Sequence, residues 1–190
     1  MIDVMVDLET LDTESDAVIV SIGACFFDPF TGEIGKVFDR VISVDDCTKR
    51  GMKISESTLG FWLRNPEAAS MVFGEDISKV SLSSALKSFT AYLKYESGDQ
   101  LGKIRLWAND PSFDKSMLTY SYRACKLEYP LAFWNTRCVR TILGLYPNTL
   151  FKEWKINNPR KGYHQASYDA IYQAEYISHI LRELGCEELF

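Results

Sequence analysis

Asp7 and Glu9 stand two residues apart in the run MIDVMVDLET. The same run alternates Ile2, Val4, Val6 and Leu8 with Asp3, Met5, Asp7 and Glu9, the period of a β-strand. Both carboxylates therefore project from one strand face, ~7 Å apart along the backbone. Two buried like charges are costly unless cations compensate them, and hard divalent ions with oxygen ligands are the natural partners. Taken singly, such a pair also fits two solvated acids at a strand end. Further along, His164 precedes Asp169 by five residues at the entry to a helix-patterned segment. A loop histidine with polar neighbours titrates near neutral pH and can take a proton from water. His179, in mid-helix, reads as structural. A third acidic position follows the apolar run Ile104–Ala108, and here two residues compete. Asp110 is nearer the strand but pairs with Pro111 as a turn residue does; Asp114 falls in a first helical turn, where the helix dipole favours an acid in any case.

These residues need elements to carry them. The first strand is followed by an acidic loop, Asp12–Asp16, and by a second apolar run from Ala17 to Phe27. The turn Asp28-Pro29-Phe30-Thr31-Gly32 then leads to a third strand over about Glu33–Val44, predicting an antiparallel meander. Ser55 or Ser57 can cap a helix through Leu63, and Asn65-Pro66-Glu67 starts another. Leu82, Leu86, Phe89 and Leu93 place an amphipathic helix over Ser78–Tyr95. After the 104–108 strand, Ser112 is expected to cap a helix running to about Cys125. A short strand near Ala132–Trp134 and a helix over Arg137–Leu145 follow. The polar loop Asn157–Gly162 leads to a last helix from about Ala166 to Leu184, with its core stripe at Ala170, Ala174, Ile177, Leu181 and Leu184. Strands followed by alternating helices and strands predict one α/β domain over residues 1–190, a mixed sheet flanked by helices.

Composition narrows the chemistry. The chain has 190 residues, 46% hydrophobic and 25% charged, and a net charge of −5. A non-specific binder of long duplexes presents a basic surface, which this chain lacks. The balance fits an enzyme that touches a few nucleotides at a chain end. The five scattered cysteines form no CxxC pair and, with only two histidines, predict no zinc site but reduced thiols in a cytoplasmic, intracellular protein. No apolar run reaches a membrane-spanning length, and the acidic start is unlike a secretory signal. No phosphate-cradling glycine loop supports a phosphatase reading.

Set together, these motifs resemble those of a family. Asp7-Leu8-Glu9-Thr10 is similar to the first motif of the DEDDh-type 3′→5′ exonucleases of the RNase H-like superfamily. Phe113-Asp114 resembles the second, and His164-Gln-Ala-Ser-Tyr-Asp169 the third. Ile54–Leu63 with Pro66-Glu67-Ala68, and Phe133-Trp134-Asn135-Thr136-Arg137 with Arg140-Thr141, extend the resemblance to phage and prophage exodeoxyribonucleases and the RNase AS-like group. The resemblance implies a five-stranded mixed sheet in the order 3-2-1-4-5. It implies that Asp7, Glu9, Asp114 and Asp169 bind two Mg²⁺ or Mn²⁺ ions, and that His164 is the general base. It implies hydrolysis from the 3′ end to nucleoside 5′-monophosphates, with single-stranded DNA favoured and RNA the alternative. Homodimers are common among such relatives, and a catalytically silent binding module is the competing reading. Thr10 and Leu11 occupy positions that contact the terminal nucleotide in relatives. Trp62 and Trp107 are candidates for base stacking, and Arg160 and Lys161 for phosphate contact.

Overall fold

The alternating run at the amino terminus becomes the central strand of the sheet. In a computed structural model that describes residues 2–160, 162 and 164–186, β1 (Asp3–Thr10) pairs antiparallel with β2 (Ile19–Phe27), and β2 with β3 (Ile34–Val41). On its other side β1 runs parallel to β4 (Arg105–Ala108), and β4 parallel to β5 (Thr136–Cys138). The order is β3-β2-β1-β4-β5, as the resemblance implies. Eight α-helices, α1 (Val44–Lys49), α2 (Glu56–Arg64), α3 (Pro66–Phe73), α4 (Leu82–Glu96), α5 (Asp114–Ala124), α6 (Val139–Leu143), α7 (Asn148–Asn157) and α8 (Ala166–Glu183), and one 3-10 turn (Leu101–Lys103) complete the described residues. None is long and apolar enough to cross a membrane.

Both sheet faces are covered, because β1 contributes to each. Val4, Val6 and Leu8 pack with Leu86, Phe89, Met117 and Leu118 of α4 and α5. Met5 packs on the opposite face with Ala170, Ala174 and Ile177 of α8. Asp3 shares that second face yet is only 2% exposed. Its carboxylate accepts from Arg105 Nε at 2.7 Å, Arg105 Nη2 at 2.6 Å and Trp107 Nε1 at 2.8 Å, which locks β1 to β4. A bidentate guanidinium and an indole together satisfy a buried acid.

Several expected boundaries shift for local reasons. The helix expected from Ser78 begins at Leu82, because Val80 bridges to Ile42 and Ser81 is the residue whose hydroxyl accepts from Ser84 N. Ser112 does not cap α5: its N–H and hydroxyl both go to Asp110 Oδ1, while the Asp110 carbonyl accepts from Asp114 N. The strand expected at 132–134 lies at Thr136–Cys138. Residues 132–135 form a turn instead, closed by Asn135 N on the Ala132 carbonyl. Strand pairing through Cys138 also shortens the next helix to Val139–Leu143. α1 and α7 were not anticipated; α7 buries only Phe151, too sparse a stripe to show periodicity. The five cysteines are all free thiols.

One glycine sets where α8 meets the sheet. A Cβ on Gly23 would lie 2.0 Å from the carbonyl carbon of Ala166 and 2.1 Å from Ser167 N, both backbone atoms that cannot rotate away. Glycine within a strand marks such close approaches. Gly23 is also the register partner of Asp7, so the start of α8 is pressed against the sheet beside that acid. We predict that Gly23→Ala costs about 1–3 kcal/mol and lowers the melting temperature by roughly 3–10 °C in a circular-dichroism melt. An unchanged melt would show that the contact yields without cost.

Candidate active site

The acids gather where β1 ends and the sheet opens. The β1–β2 register shifts between Glu9 and Thr10, a bulge that stops regular pairing just past the Asp-x-Glu pair. Asp114 reaches the same place from α5 and is 3% exposed. Its Oδ1 accepts from Leu8 N at 3.1 Å, the amide between the two acids of β1. Asp7 and Asp114 together line a cleft of about 360 Å³, with Asn109, Asp110 and Arg140 at its rim. Asp110 faces outward to Arg140 at 3.2 Å and shapes the turn before α5. Of the two competing acids, Asp114 is the one that joins the cluster.

The last helix supplies the opposite wall. Asp169 is 3% exposed in the first turn of α8. Ligand atoms of Glu9, His164 and Asp169 lie within 4.8 Å of one another, a candidate cation site among the described residues. His164 has a backbone φ of +56°, and its ring meets Phe61 edge to face at 4.8 Å, which fixes the imidazole against α2. One turn beyond Asp169, Gln173 Nε2 donates to Asp7 Oδ1 at 2.7 Å. The other amide atom, Gln173 Oε1, is buried with no partner. Residues four apart share a helix face, so α8 presents both Asp169 and Gln173 to β1.

Electrostatics record the crowding. Burial, reinforced by the charges of Asp114, Glu9 and Asp169, holds the Asp7 carboxyl well above the ordinary carboxylate range. Burial and the Asp169 charge push Glu9 up to about 8, against the pull of Arg160. Burial raises Asp114 to about 7, opposed by the Leu8 N–H. The cation facing this group is Arg160, whose Nε donates to Asp169 Oδ1 at 2.7 Å and whose Nη2 pairs with the same oxygen. His164 moves the other way: burial and then Arg160 lower it, against the pull of Asp169, which favours the neutral imidazole. An oxygen-rich set of four carboxylates with one imidazole and no thiol matches the donors that hard divalent cations take. The raised pKa values of Asp7, Glu9 and Asp114 show that the negative charge is only partly compensated.

The five residues singled out as a centre from sequence are thus brought together. The proposed substrate contacts fare differently. Trp107 is fully buried, with its indole N–H spent on Asp3, so its ring offers no face to a base. Trp62 is also buried and donates to the Thr10 carbonyl at 2.9 Å. Leu11 is 2% exposed in the core, its N–H on Val18 and its carbonyl on Ser55 N. Thr10 is buried and gives its hydroxyl to the Asp12 carbonyl at 2.7 Å. Arg160 sits on Asp169, and Lys161 lies outside the described residues. Sequence reasoning passed over Gln173 and Gly23. A glutamine four residues after an acid on an otherwise core-facing helix, and a glycine inside an apolar strand, were the available signals.

The chain is similar to several known proteins. The model of the Rv2179c-like 3′–5′ exoribonuclease domain matches residues 2–181. An exodeoxyribonuclease of Enterobacteria phage T4 is 27% identical over 163 residues, which span 74% of this chain and 70% of the phage protein. Among solved structures, the nuclease domain of 3′hExo, a DEDDh family member bound to rAMP, superposes with a TM-score of 0.69 at 15% identity, covering 98% of this chain and 94% of that one. Exonuclease X in complex with 5′ overhanging duplex DNA gives a TM-score of 0.57 at 18% identity, covering 96% and 93%. The chain belongs to the Rv2179c-like 3′–5′ exoribonuclease domain family and is a 3′→5′ exonuclease.

Proposed function

We propose that this chain shortens single-stranded DNA from its 3′ end by two-metal-ion hydrolysis and releases nucleoside 5′-monophosphates. The observation that carries this reading is the convergence of Asp7, Glu9, Asp114 and Asp169 from three elements, with His164 beside Glu9 and Asp169. Asp7, Glu9, Asp114 and Asp169 would hold two Mg²⁺ or Mn²⁺ ions. Bound divalent cations acidify water and neutralise the charge that builds on a scissile phosphate. His164 accepts the proton of the attacking water, a role its lowered pKa suits. Phe61 keeps the ring in place while Gln173 orients Asp7, leaving the other Asp7 oxygen available. Arg160, at the mouth of the acidic group, is placed to meet a phosphate.

DNA is favoured by the phage relative, an exodeoxyribonuclease. The family model's description favours RNA and supports that as the second reading. Matched 5′-labelled single strands of DNA and RNA, incubated with Mg²⁺, Mn²⁺ or EDTA beside an Asp7→Ala control, separate the two. A metal-dependent ladder on DNA alone is the expected result. A ladder on RNA alone moves the assignment to the second reading, and no ladder on either sinks the exonuclease role. His164→Ala should lower turnover by ~10²-fold or more while calorimetry still detects Mn²⁺ binding; near-normal turnover removes the histidine from proton transfer.

The raised carboxylates also predict a dependence on pH. Glu9 rises from an ordinary 4.5 to about 8 on folding, and Asp114 from 3.8 to about 7. For an acid raised in the folded state, the stabilising contribution is complete below the unfolded value and lost as pH climbs through the folded one. In EDTA the melting temperature should therefore fall between about pH 5 and pH 8. With Mg²⁺ or Mn²⁺ the fall should flatten, because bound cations keep the acids ionised without penalty. Parallel melts in chelator and metal that track each other across that range would contradict cation binding here.

A further inference from the structure

Phe133 and Trp134 are 76% and 67% exposed, and their rings meet edge to face at 4.8 Å. Adjacent large apolar side chains held in water mark interaction sites more often than isolated ones do. The turn that presents them is fastened on two sides. Lys115 Nζ donates to the Phe133 carbonyl at 2.8 Å and to the Thr136 hydroxyl at 2.7 Å. Asn135 Nδ2 donates to the Gly102 carbonyl at 2.9 Å. The two rings therefore stand on a fixed backbone.

Lys115 is the residue after Asp114, so the same helical turn that delivers Asp114 to the active cleft also holds this aromatic turn. Phe113 and Asp114 line the active cleft. Lys115 and Ser116 line the next one, a cleft of about 450 Å³ completed by Ser15, Thr119, Tyr120 and Arg123. Its lining carries two cations and several hydroxyls but no carboxylate. On a chain of net charge −5, that is a local reversal of sign beside the acidic centre. Of the three donors of the Lys115 ammonium, two are spent on the turn, leaving one to face the cleft.

We propose that single-stranded nucleic acid upstream of the 3′-terminal nucleotide leaves the active cleft along α5, its phosphates meeting Lys115 in the first turn and Arg123 in the last and its bases stacking on Phe133 and Trp134. The proposal rests on the exonuclease reading and extends it. Aromatic faces accept any base, so this track confers dependence on strand length without dependence on sequence. It also selects single strands, because a duplex hides its base faces.

The test compares a ten-nucleotide single strand with thymidine 5′-p-nitrophenyl phosphate, an activated ester with no upstream nucleotide, using the full chain. In the double variant Phe133→Ser, Trp134→Ser, KM for the ten-mer should rise about 10-fold or more, with kcat and ester hydrolysis unchanged. Arg123→Gln should raise the same KM and reduce its salt slope by about one. It keeps the test open if the double variant fails to fold. If the parent chain hydrolyses neither substrate, the exonuclease reading fails. If ester hydrolysis persists while KM for the ten-mer stays unchanged in both variants, the track alone is overturned. A parent dimer that the double variant dissolves, seen by sedimentation, assigns the rings to a second copy and also overturns it.

Discussion

The constraint on which this structure turns is mutual repulsion among carboxylates that the fold forces together. Asp7, Glu9, Asp114 and Asp169 arrive from β1, α5 and α8, and the charges of their neighbours raise the pKa values of Asp7 and Glu9 on top of burial. A fold does not keep such a group for its own stability, since apolar side chains of similar size would fill the space at lower cost. Asp3 makes the contrast on the same strand face. It receives a bidentate guanidinium and an indole N–H, a complete set of partners supplied by the protein. Asp7, four residues on, has one amide from Gln173. The difference separates an acid the protein satisfies by itself from one left for a ligand.

Holding the repelling groups at close range demands rigid support, and the supports are apolar. Val4, Val6 and Leu8 anchor β1 to α4 and α5, while Met5 anchors it to α8. Gly23 allows the backbone of α8 to touch the sheet at the register of Asp7, which brings Asp169 and Gln173 to β1. Ser167 adds a hydrogen bond of 2.7 Å to Asp39 on β3. Strand, helix and glycine act as one frame, and the acids are its least comfortable part. This division of cost is general for sites whose chemistry needs charge in a confined space.

How much of this was legible follows from how local each signal is. The strand period at Asp7 and Glu9, the apolar stripe of α8 from Ala170 to Leu181 and the spacing of His164 from Asp169 are short-range patterns that reappear in the structure, whereas Leu184, expected to continue the stripe, caps the helix and is 41% exposed. The choice of Asp114 over Asp110 was harder, because both lie in one turn. The Phe113-Asp114 pairing carried it, and the structure adds the physical reason in a contact 106 residues away, the Leu8 amide, which no local pattern reports. The same holds for Trp107 and Leu11. Aromatic and apolar residues beside a site look available in sequence, but Asp3 claims the indole of one and the core claims the side chain of the other. Gln173 and Gly23 are functional only through partners across the sheet. The β5 strand was misplaced by a few residues, because the turn before it is fixed by Lys115 rather than by turn residues of its own.

Arg160 shows why charge balance, and not only shape, governs the site. It is the cation that faces Glu9 and Asp169, and both acids raise its own pKa in return. A guanidinium bound to Asp169 Oδ1 and a divalent cation bound to the same oxygen would repel each other strongly at such range. A cation held through that oxygen would therefore compete with Arg160 for it. The acidic group and the loop bearing His164 are in this way linked through one side chain, whose charge offsets part of the repulsion among the carboxylates.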